Sequence, residues 1–93
     1  MSNNLKDHSY YIAMISDMEA CANKEFFENA ILLSVNIDLE ISKEKVEKKL
    51  SEVRTVVEKK SKDTLFLKTV LLEDKKIIAR ASALWSKESS IWA

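Results

Sequence analysis

The sequence predicts an α+β fold in which one long N-terminal helix packs against a four-stranded antiparallel sheet. Three observations lead there. From Tyr11 the apolar residues fall at Met14, Ile15, Met18, Cys21 and Ala22, the i, i+3, i+4, i+7 stripe of an amphipathic helix. From Leu33 the period drops to two, and the same alternation returns between Ile77 and Trp85. The chain also contains no glycine and no proline. Phosphate loops, dinucleotide fingerprints, nucleophile elbows and EF-hands need glycine for φ > 0 or for close backbone approach, so none is expected in its usual form.

In chain order, the helix is the first element, with Asp7 or Ser9 as its cap. Its second flank, Tyr10, Ala13, Asp17 and Ala20, is small and apolar around a single acid, which predicts neighbours on more than one side. Asn29, following Phe26 and Phe27, is the expected left-handed stop where glycine would ordinarily serve. Leu33, Val35, Ile37, Leu39 and Ile41 alternate with polar residues and define a first strand. Ser42 to Lys49 reads as a polar connection. Val46, Leu50, Val53 and Val57 fit a helical stripe, but the β-branched Val53, Thr55 and Val57 favour a strand from Leu50 to Lys59. A charged turn from Lys59 to Asp63 leads into a strand from Thr64 to Leu72. Asp74 and Lys75 then separate it from Ile77, Ala79, Ala81, Ala83 and Trp85, giving a hairpin. Three alanines on one strand face let a helix approach closely, so the long helix is expected to lie across Ala79 to Ala83.

Composition narrows the function. With 15 basic against 15 acidic residues the net charge is zero, which argues against a nucleic-acid partner held by whole-domain attraction. One histidine, His8, and one cysteine, Cys21, exclude a Cys/His metal site and an intramolecular disulfide within one chain, so no metal and no cofactor are expected. A solitary thiol suits a reducing compartment. No long apolar stretch follows Lys6, which predicts neither a leader nor a membrane span, and residues 1–93 read as one cytoplasmic domain. A core this small gains from dimerisation.

The element order and three local stretches resemble the hotdog fold, specifically the small acyl-CoA thioesterases of the PaaI and 4-hydroxybenzoyl-CoA type. His8, Ser9 and Tyr10 stand where that family has His-Gly-Gly, and Asp17 follows His8 by nine residues, the family's spacing for its catalytic acid. Leu33 to Leu39 is similar to the strand after the family's helix, with Asn36 at its centre. Leu65 to Trp85 is similar to the final hairpin, with Asp74, Lys75 and Lys76 in place of Asp-Gly-Lys. Both glycines after His8 are replaced, and with only seven residues before it the family's N-terminal strand is expected to be missing or rudimentary.

The resemblance implies a site. The Ser9 amide, as a helix N-terminal donor, would polarise the thioester carbonyl, and Asp17 would be the general base or nucleophile. His8, Tyr10 and Cys21 would line the substrate. Each has a plainer alternative: Ser9 as an ordinary cap, Asp17 as a solvated or ion-paired helix residue, His8 as a cap-region residue, Cys21 as a small buried hydrophobe. Lys59, Lys60 and Lys62 are either a solvated turn or a contact for coenzyme A phosphate. Eight residues of helix separate Ser9 from Asp17 by ~12 Å, so the two would serve one carbonyl only from different chains. The implied assembly is therefore a homodimer or dimer of dimers acting on acyl-CoA. Two other functions remain open on sequence: a non-catalytic acyl-binding or assembly module of the same fold, and a helical protein-interaction domain.

Overall fold

The computed structural model describes residues 3–39 and 51–92, with side chains described for 11–39 and 52–91. Helix α1 spans Asn3–Phe26 and is followed by β1 (Ala30–Leu39), β2 (Ser51–Lys60), β3 (Thr64–Glu73), β4 (Lys76–Lys87) and a short α2 (Glu88–Trp92). All pairings are antiparallel, in the order β1-β4-β3-β2. The expected helix and four strands are present. Val53, Thr55 and Val57 lie within β2, which sets aside the helical stripe and with it the helical interaction domain. Ile41, Val46 and Leu50 lie outside the described residues.

The helix meets the sheet through Met14, Met18, Ala22 and Phe26, four residues repeating at i+4 and all buried. Beneath them, in one core, lie Leu65, Leu67 and Leu71 of β3 with Ala79, Ala81, Ala83 and Trp85 of β4. The alanines are 0 to 5% exposed, as close approach of the helix to β4 requires. Ile15 and Cys21 pack against the same core at its margin.

Three details depart from expectation. The helix stops at Phe27, not Asn29: Phe27 takes φ 61° and its N–H donates to the Asn23 carbonyl at 2.9 Å. This is the single 5→1 bond of a left-handed cap, made by a residue with a Cβ, which carries a steric cost that glycine would avoid. Leu33 does not join the core. The β1 register shifts between Leu32 and Ser34, so Leu32 packs inward while Leu33 is 46% exposed. Finally, the helix begins at Asn3, so Asp7 and Ser9 do not cap it.

Two contacts fix the direction in which α1 leaves for the sheet. Asn23 Oδ1 accepts from the Ala30 N–H at 2.7 Å, joining the last turn to the first residue of β1. Lys60 Nζ reaches Glu25 Oε1 at 3.1 Å, tying the same turn to the end of β2. The β3–β4 hairpin turns on Asp74 (φ 56°) and Lys75 (φ 69°), positive at both central residues as a type I′ turn demands. Glu28 closes the start of α2, its carboxylate accepting from the Ser89 N–H and Oγ–H at 3.0 Å each.

Candidate active site

Asp17 lies on α1 between Met14 and Met18, turned toward the β2 side of the sheet and half-buried. The Thr55 hydroxyl donates to Asp17 Oδ2 at 2.6 Å, across 38 residues of sequence. Thr55 sits opposite Thr69 in the β2–β3 register, with their hydroxyl oxygens 2.9 Å apart. Thr69 is only 1% exposed, and its hydroxyl donates to the Arg54 carbonyl at 2.9 Å. The same transverse row continues through Ala81 to Ile37, so two hydroxyls form a polar half-row in an otherwise apolar floor. A hydroxyl enclosed this way is costly unless it is bonded, and Thr69 is.

Cys21 follows Asp17 by one helical turn and is partly buried. Burial pushes its thiol above the ordinary range, the nearby Glu25 and Asp17 carboxylates add to the rise, and Lys24 works against it. A thiol held in that state is a poor nucleophile, so Cys21 serves as a small packing residue beside the acid.

His8, Ser9 and Tyr10 lie within α1, and their side chains are outside the described residues. With the helix starting at Asn3, Ser9 is in its seventh position. There an amide is committed to the carbonyl four residues back, Leu5, and is no longer one of the unpaired N-terminal donors. Lys59, Lys60 and Lys62 are exposed, with Lys60 engaged by Glu25. Trp85 is buried in the core. Sequence reading missed Thr55 and Thr69, whose β-branched shape read only as strand-forming. The signal was there as two threonines, each the central residue of an inward-facing strand row.

A shallow depression of about 220 Å³ lies on the far side of the sheet, bordered by Asn36, Asp38, Lys68, Val70, Arg80 and Ser82 and touched also by Thr69 and Ala81. Asp17, Thr55 and Cys21 are not among the residues that line it. Among the described residues no group of three or more His, Cys, Asp or Glu side chains is placed to hold a metal ion. No described helix is long and apolar enough to cross a membrane.

No protein-family model matches the chain, and no curated protein matches it. A crystal structure of a hypothetical protein from Aquifex aeolicus is similar to it, with a TM-score of 0.63 and 16% identity over 85% of this chain and 77% of that one. At that identity the likeness is one of fold.

Proposed function

We propose that the chain is a hotdog-type subunit that pairs with a second copy and hydrolyses an acyl-CoA thioester, with Asp17 as the acid of the site. The observation that carries this reading is the 2.6 Å bond from Thr55 to Asp17 Oδ2. It gives a half-buried carboxyl a fixed orientation at the nine-residue spacing from His8 that the thioesterases share. As general base, Asp17 takes a proton from water while the water oxygen bonds to the thioester carbonyl carbon. The C–S bond then breaks with its electron pair on sulfur, and the sulfur takes up the proton, leaving a carboxylic acid and a free thiol. Because the Ser9 amide is committed within α1, it is assigned no part in polarising the carbonyl.

That same commitment favours the second reading, a non-catalytic acyl-binding or assembly module. The two separate in one assay of the parent and Asp17→Asn on short, medium and aromatic acyl-CoA substrates. Hydrolysis that falls in the variant supports the enzyme. Absence of turnover in the parent, or equal turnover in both, leaves the module.

A further inference from the structure

We propose that the Thr55 hydroxyl holds Asp17 through Oδ2 and so presents Oδ1 as its working oxygen. Thr55 is a positioning residue, and Thr69 is its cross-strand neighbour. The inference rests on Asp17 being the acid of the site.

The argument is one of donors and acceptors. Three contacts run in series: Asp17 Oδ2 to Thr55 Oγ1 at 2.6 Å, Thr55 Oγ1 to Thr69 Oγ1 at 2.9 Å, and Thr69 Oγ1 to the Arg54 carbonyl at 2.9 Å. Each hydroxyl has a single proton to give, and the carbonyl at the far end only accepts. Thr69, enclosed in the core, commits its proton to the Arg54 carbonyl. Thr55 then has two acceptors within reach, the carboxylate and the Thr69 hydroxyl oxygen, and one proton between them. The carboxylate is nearer and charged, so it takes that proton, since hydrogen bonds to ionised acceptors are shorter and stronger than neutral ones. Thr69 cannot compete as a donor to Thr55 without abandoning the Arg54 carbonyl in the core. With the Thr69 proton turned to the Arg54 carbonyl, the Thr55 proton goes to one oxygen of Asp17.

Packing keeps the Thr55 hydroxyl in place. Thr55 and Thr69 are direct cross-strand partners, and the rows on either side are apolar, Val53 with Leu71 and Val57 with Leu67. Met14 and Met18, three residues before Asp17 and one after it, are fully buried, so the helix has little freedom to roll and carry the carboxyl elsewhere. A β-branched residue restricts χ1, which aims the Thr55 hydroxyl at one place.

The test uses the parent chain with Thr55→Val, which keeps the shape and deletes the hydroxyl, and Thr55→Ser, which keeps the hydroxyl. Carbon-13 NMR of the labelled Asp17 carboxyl reads the bond without any reaction. The signal should move in Thr55→Val and stay at the parent position in Thr55→Ser. In the hydrolysis assay, Thr55→Val should lose about tenfold in kcat, the scale of one hydrogen bond to a charged group, with KM unchanged and recovery in Thr55→Ser. An unmoved carboxyl signal in Thr55→Val overturns the positioning role, as does equal loss in both variants. If the parent shows no hydrolysis, the enzyme reading fails by itself, and the carboxyl signal alone decides whether Thr55 holds Asp17.

Discussion

β1 and β2 close the sheet at opposite edges and are equally long, ten residues each, yet they meet solvent with different chemistry. β2 carries Glu52, Arg54, Glu58, Lys59 and Lys60 around the exposed Val56 and Val57, with an Arg54–Glu52 ion pair at 2.8 Å. β1 carries one charged residue, Asp38, and leaves Leu33, Val35 and Leu39 39 to 46% exposed. Charged side chains discourage an edge from recruiting another strand, whereas a long apolar edge invites one. The helix deepens the contrast. Its Asp17 and Glu25 side chains bond to Thr55 and Lys60, both on β2, while its only side-chain bond toward β1 among those described is from Asn23 at the first residue. Among the described residues, the β2 edge is thus the more charged and the more tied to α1, and the β1 edge the less so. A second copy adding to β1 would satisfy that edge by two-fold antiparallel pairing.

Breaking the β2 side at its acid has the largest expected effect. Asp17→Asn keeps size and removes charge, so thioester hydrolysis should fall by roughly 100-fold or more with folding intact, checked by turnover and circular dichroism together. A change midway between the edges comes next. Ala81→Leu puts three more heavy atoms beneath a helix that packs on alanine, and denaturant unfolding should show a loss of about 1 to 3 kcal/mol. A parent-like midpoint would mean that α1 does not sit on that face.

The comparison itself is sharpened by matched lysines. Val35→Lys on β1 places like charges near each other when two copies pair, and association should weaken by about tenfold. Val56→Lys on β2, where the residue is already 57% exposed, should leave association unchanged. Equal effects of the two would erase the difference between the edges.

The smallest effect concerns Cys21. Its thiol is held above the ordinary range by burial first and the Glu25 and Asp17 carboxylates second. The folded chain thus forms thiolate only at higher pH than the unfolded one, and the stability tied to the thiol is lost as pH rises through that folded value. Alkylation by iodoacetamide near pH 8 should be slower in the folded chain than in urea, and slightly faster in Asp17→Asn than in the parent.

Much of the fold was legible in the sequence because it is written in periodicity. Met14, Met18 and Ala22 mark the helix face, and Ala79, Ala81 and Ala83 mark the strand it covers. What periodicity does not encode was misread. Phe27 caps the helix because the chain offers no glycine there and the turn to β1 demands a left-handed residue, a demand set by the Asn23 to Ala30 bond and not by Phe27 itself. The bulge that exchanges Leu32 for Leu33 is invisible in a run of four apolar residues, Ala30 to Leu33. Of the candidate site, Asp17 was singled out through the resemblance, by its nine-residue spacing from His8. Its partner Thr55 was not, because a bond spanning 38 residues leaves no local pattern and a threonine in a strand needs no further reason.

The central claim, that β1 is an edge left open for a second copy, is tested most directly by the mass of the parent chain in solution. Sedimentation equilibrium at micromolar concentration should return a dimer or a multiple of it. A stable monomer at that concentration would contradict the account.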